Sequence, residues 1–111
     1  GGGDRWYVCE KELGSNILYV CEGADNPRLY KRGFRGSEVH FINRPEESEL
    51  RCKVKYRYRQ PELPAVLKIH SDGVEVIFDE KQSGITPGQS GAFYLGDECI
   101  GSAVIDEVIK N

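Results

Sequence analysis

At 111 residues the chain is the size of one domain with one hydrophobic core. Its 39% hydrophobic and 30% charged residues exclude a collagen-like chain and argue against a long disordered one, and no run of about 18 apolar residues offers a membrane span. The net charge of −3 argues against a general nucleic-acid binder, and no basic stretch followed by an apolar one opens the chain as a secretory signal would.

Taken in order, residues 1–3 are three glycines and read as a tag remnant or linker, leaving 4–111 as a single domain. Trp6–Glu10 and Ile17–Cys21 are apolar-rich runs around Gly14, Ser15 and Asn16, the pattern of a hairpin with a longer loop. Asn26-Pro27 is a break, and Arg28–Arg32 is compatible with one helical turn. In Ser37–Ile42, Val39 and Phe41 share one face and Glu38 and His40 the other. Asn43–Glu49, with Pro45 and three glutamates, is a solvated loop. Leu50–Arg59 is the clearest strand, broken by Pro61 and Pro64. Ala65–Ile69 and Val74–Phe78 flank Ser71-Asp72-Gly73, a tight-turn signal, and Ala92–Leu95 and Cys99–Ile105 flank Gly96-Asp97-Glu98. Seven or eight short strands and no amphipathic helix predict an all-β sandwich or barrel. A barrel is preferred because closure removes exposed edges.

Chemistry-bearing motifs are few. Cys9, Cys21, Cys52 and Cys99 contain no Cys-x-x-Cys and have no histidine nearby in sequence, so the paired short spacing of structural zinc is missing; a reactive thiol is possible, but no Cys-His constellation can be read from the sequence. Two disulfides are compatible with the count. The strand-like apolar surroundings favour reduced thiols in a cytosolic compartment. Gly84–Gly91 is glycine-rich but matches no phosphate loop, and Ser90 is not in a G-x-S-x-G turn. Asp79-Glu80 and Asp97-Glu98 adjoin turns and read as solvated pairs.

One stretch is pointed. Residues 28–59 hold ten Lys/Arg and four acids, a charge of +6, while the remainder holds five Lys/Arg and fourteen acids, −9. Within it, Arg51, Lys53, Lys55, Arg57 and Arg59 alternate with Cys52, Val54, Tyr56 and Tyr58. On a continuous strand this puts five cations on one face, about 6.6 Å apart, and both tyrosines on the core side. Such a row fits the phosphates of a nucleic acid. It equally fits a protected edge strand balanced by acids on its neighbours.

These residues support a family resemblance. Asp4–Glu12 with Asn16–Gly23, then Pro27–Tyr30, Lys55–Pro61 and Val76–Gly101 resemble, in that order, the carboxy-terminal domain of bacterial tRNA-specific 2-thiouridylases, whose older label is tRNA methyltransferase. Phe78-Asp79-Glu80-x-Gln82 and Thr86-Pro87-Gly88-Gln89-Ser90 are the most specific pieces. The chain departs from the pattern at Cys21, where many members have glycine, and at Gly91 and Ser102.

The resemblance implies a small closed or partly open antiparallel barrel of about six to eight strands, similar to domain 2 of translation elongation factors. It implies a cytoplasmic three-domain transferase that makes 2-thiouridine at the tRNA wobble position. ATP and the catalytic cysteines would belong to other parts of that enzyme, and this domain would hold no cofactor or metal. The expected partners are tRNA, the enzyme's own catalytic and central domains, and a sulfur-carrier protein. Arg51, Lys53, Lys55, Arg57, Arg59 and Gln60 are the candidate RNA-binding residues, with Arg28, Lys31, Arg32 and Arg35 in reserve. The competing expectation is a barrel that docks on the catalytic domain without touching RNA.

Overall fold

The computed structural model describes residues 29–111 in full and the strands Trp6–Glu12 (β1) and Ile17–Glu22 (β2) through their backbone pairing. β1 and β2 form an antiparallel two-stranded sheet with Trp6 opposite Glu22 and an irregularity between Val8 and Glu10. This is the hairpin that the two apolar runs predict.

The remaining six strands are Tyr30–Phe41 (β3), Glu49–Lys55 (β4), Leu63–His70 (β5), Gly73–Ser83 (β6), Ser90–Leu95 (β7) and Glu98–Ile109 (β8). They close into an antiparallel barrel in the order β3-β6-β5-β4-β7-β8. The described part of the chain is therefore all-β, as expected. β3 closes the barrel by pairing with both β6 and β8.

Alternation builds the core. Cys52 and Val54, Ala65 and Leu67, and Val74, Val76 and Phe78 point inward from successive strands and are buried. Phe34, Phe93, Ile100 and Ile105 fill the interior from the other side. Phe34 and Phe78 lie 6.1 Å apart and Tyr56 and Phe78 5.8 Å apart, all tilted, which is the usual geometry of packed aromatic rings. Val39 and Phe41 pack against this core, and Glu38 and His40 face solvent, as the alternation requires.

Three readings of the sequence are corrected. Residues 30–32 are strand, not a helical turn. Their conformation is set by long-range pairing: Lys31 lies opposite Gln82, and the register then slips so that Gly33 faces Ile77. The close approach at that slip needs glycine, since a Cβ on Gly33 would sit 1.8 Å from the Val76 carbonyl oxygen. The second correction concerns β4, which ends at Lys55 and not at Arg59. Residues 57–60 form a turn closed by the Gln60 amide donating to the Arg57 carbonyl at 3.3 Å. Pro64, expected to break structure, lies inside β5. It faces Lys53 of β4 and precedes the first β5–β6 pair at Ala65, so its missing N–H costs no bond to β6.

Because every neighbouring pair in the barrel is antiparallel, successive connections alternate between its two ends. Residues 42–48, 71–72 and 96–97 cap one end, and residues 56–62 and 84–89 cap the other. The candidate residues gather at the second end.

Candidate nucleic-acid interface

The five-cation row is divided by the fold. Arg51, Lys53 and Lys55 do project outward from β4. Arg51, however, is ion-paired and hydrogen-bonded to Asp79 of β6. That hydrogen bond, followed by the carboxylate's charge, raises the arginine's pKa. Asp79 is exposed one residue past the buried Phe78 of β6 and reaches Arg51 across the intervening strand β5. Arg51 is thus balanced within the barrel, whereas among the described residues Lys53, Lys55 and Arg59 have no carboxylate within 4.0 Å.

Past Lys55 the strand phase is lost, and the two tyrosines part. Tyr56 turns inward: its ring packs on Phe78 and its hydroxyl donates to the Ser83 carbonyl at 2.5 Å. The Gln60 side chain accepts from the Tyr56 amide at 2.9 Å, so Gln60 holds the turn at both the backbone and the side chain. Tyr58 is 88% exposed, which overturns the expectation that it faces the core. The strand reading failed there because it extended the alternation past the point where Gln60 satisfies the Tyr56 amide. The Gln60-Pro61 dipeptide was the available signal.

Arg57 is exposed but held. Its guanidinium lies 5.3 Å from the Tyr56 ring centroid and donates to the Ser83 carbonyl at 3.0 Å. It also lies over Gly84, where φ is +75° and a Cβ would come within 3.0 Å of the guanidinium carbon. Glycine suits the backbone conformation there, and a larger residue would also crowd the Arg57 guanidinium. Arg59 stands at the tip of the turn, exposed.

Two shallow grooves border this turn. One, of about 500 Å³, is lined by Arg57, Arg59, Gln60, Pro61, Leu63 and Gln82. The other, of about 260 Å³, is lined by Lys55, Tyr56, Arg57, Tyr58, Ser90, Ala92 and Tyr94. Tyr94 joins the site because Lys53 and Lys55 pair with Tyr94 and Ala92 of β7. Tyr58 and Tyr94 are the additions that the charge pattern alone did not reveal.

The reserve residues separate. Lys31 lies opposite Gln82, which lines the larger groove. Arg32 is exposed on β3. Arg35 is engaged by Glu75 at 3.2 Å and Glu107 at 3.4 Å. Arg28 lies outside the described residues.

Among the described residues, the glycine-rich loop forms no helix-capped phosphate cradle, and Cys52 is a buried thiol. Residues 84–89 connect β6 to β7 and lead into a strand, so no helix N-terminus faces a phosphate. Within this connection the Gly88 amide donates to the Ile105 carbonyl at 2.8 Å and the Gln89 amide to the Thr86 carbonyl at 3.2 Å. These residues do not fit ATP. Cys52 and Cys99 are free thiols, and burial pushes the Cys52 pKa up to about 11, which keeps it protonated at neutral pH. The side chains of Cys9 and Cys21 lie outside the described residues. Among the described residues no helix is long and apolar enough to cross a membrane.

Comparison with known proteins adds an independent finding. Residues 31–105 match the family model described as the aminomethyltransferase beta-barrel domain. The tRNA-specific 2-thiouridylase MnmA of Haemophilus influenzae strain Rd is 46% identical over 110 residues, covering 97% of this chain and 29% of that protein. The enzyme of the same name from Pseudoalteromonas translucida is 46% identical over 112 residues, covering 99% of this chain and 31% of its own length. That of Klebsiella pneumoniae is 45% identical over 109 residues, covering 96% and 30%. The chain thus spans about three-tenths of the relatives it matches.

Proposed function

The chain belongs to the aminomethyltransferase beta-barrel domain family and matches the carboxy-terminal domain of tRNA-specific 2-thiouridylases; on that premise we propose that it is the tRNA-contacting barrel of an ATP-dependent tRNA sulfurtransferase. Its task in this reading is to position the tRNA while wobble-uridine thiolation proceeds elsewhere in the enzyme. ATP, the nucleophilic cysteines and the docking site for a sulfur-carrier protein belong, in this reading, to the remaining seven-tenths of such an enzyme. The compartment is the cytoplasm, where tRNA is modified.

The observation that carries the reading is the set of uncompensated cations. Among the described residues Lys53, Lys55 and Arg59 have no carboxylate within 4.0 Å, and Arg57 is fixed by Tyr56 and Ser83 with its outer face open. Phosphates supply the missing charge, and contacts of this kind set register and orientation without reading sequence. Filter binding of the full-length protein to tRNA across a salt series tests it. Replacing Lys53, Lys55 and Arg59 with alanine should flatten the dependence of log affinity on log salt by roughly 0.7–0.9 unit per lost contact. An unchanged slope overturns the reading and leaves the barrel as a module that packs on its own catalytic domain.

A further inference from the structure

The basic end carries an aromatic feature that phosphate contacts do not require. Tyr58 is 88% exposed at the second position of a turn that is closed twice by Gln60, through the bond to the Arg57 carbonyl and through the bond from the Tyr56 amide. The turn is backed by Arg57, which is held between the Tyr56 ring and the Ser83 carbonyl. A large ring is therefore presented on a braced support. Beside it lies the groove of about 260 Å³, which has Tyr94 on its wall and Lys55 and Arg57 at its margin.

Resting on the tRNA-contacting reading, we propose that this groove receives one unpaired nucleotide of the tRNA, its base stacked on Tyr58 with Tyr94 beside it and its phosphate met by Lys55 or Arg59. Base stacking on an aromatic ring is tolerant of sequence, because every base has a flat face. It also requires a base free of its helix, so the partner is a loop or junction nucleotide and not a paired stem. Phosphate contacts alone would give a site for any RNA backbone. Adding the ring makes the site selective for places where a base is exposed. Ser90 at the groove margin offers a hydroxyl to the edge of that base.

The two kinds of contact differ in their dependence on salt. Stacking releases no counterion, whereas each phosphate contact does. Tyr58→Ala, Tyr58→Phe and Arg59→Ala are compared in the full-length protein by filter binding to tRNA over a salt series. Folding is checked by circular dichroism, since a side chain this exposed is dispensable for the core. Tyr58→Ala should weaken binding about tenfold at every salt concentration with the slope unchanged. Tyr58→Phe should bind within about twofold of the unsubstituted protein, because the ring is retained. Arg59→Ala should flatten the slope by roughly 0.7–0.9 unit. If Arg59→Ala flattens the slope while Tyr58→Ala binds normally, stacking is refuted and the tRNA-contacting reading stands. Equal losses for Tyr58→Ala and Tyr58→Phe refute stacking as well, because the hydroxyl would then be the determinant. If neither substitution changes binding, stacking is refuted, and the combined replacement of Lys53, Lys55 and Arg59 decides the tRNA-contacting reading.

Discussion

The two ends of the barrel handle charge in opposite ways. The connections at 42–48, 71–72 and 96–97 carry Arg44 against Glu46, Glu47, Asp72 and Asp97, and the strands that start there add Glu49 and Glu98. The connections at 56–62 and 84–89 carry Arg57 and Arg59 against Glu62 alone, with Lys55 at the strand end. Pairing differs as well. Lys68 of β5 reaches Glu49 and Glu75 at 3.9 and 3.8 Å, and Arg44 lies 5.5 Å from the centre of the Phe41 ring. Among the described residues Lys55 and Arg59 have no such carboxylate partner. A net charge of −3 averages these ends and describes neither. What predicts a partner is where the uncompensated charges lie, and the closed topology places them at one end.

Several substitutions would break or sharpen that contrast. The largest effect is expected at the shared core. Phe78→Ala removes the ring that supports both Phe34 and Tyr56 and should cost about 3–5 kcal/mol in denaturant unfolding, collapsing the basic end together with the rest. Next comes a pH effect that belongs to neither end. Cys52 has a raised folded pKa of about 11 against an ordinary thiol value of 9.0, so the folded state holds its proton more tightly than the unfolded state does. Its contribution is intact below about pH 9 and is lost as pH rises from 9 towards 11. Unfolding curves compared with Cys52→Ala across that range should converge by an amount on the order of 2 kcal/mol, and a constant difference would contradict the burial account.

Smaller effects separate the two ends more finely. Tyr56→Phe deletes the hydrogen bond to Ser83 but leaves Arg57 donating to the same carbonyl, so a loss of about 1 kcal/mol or less is expected. Arg51→Ala removes an exposed pair with Asp79 and should change stability by less than about 1 kcal/mol. It should also affect the salt dependence of tRNA binding less than Lys55→Ala does, because Arg51 already has an anion. Equal effects of the two on the salt slope would place Arg51 back among the RNA contacts.

Much of this architecture was legible in the sequence. Asp72-Gly73 and Gly96-Asp97 mark turns by local backbone chemistry, and the buried sets Val74, Val76, Phe78 and Cys52, Val54 follow from strand alternation. The beginning of β3 was not legible, because Lys31 and Arg32 are strand only through pairing to residues some fifty positions away. The basic site was half legible. Alternation correctly placed Arg51, Lys53 and Lys55 outside and Tyr56 inside, but it could not show that β4 stops at Lys55, which decides the position of Tyr58. Nor could it show Asp79 reaching Arg51 across β5, since that pairing depends on strand order.

The difference between the ends can be measured directly by hydrogen exchange of the full-length protein, read peptide by peptide with and without tRNA. The account predicts slowed exchange in residues 56–62 and along β4, with the connections at 42–48, 71–72 and 96–97 unchanged. Protection confined to those acidic connections, or no protection anywhere in the barrel, would contradict it.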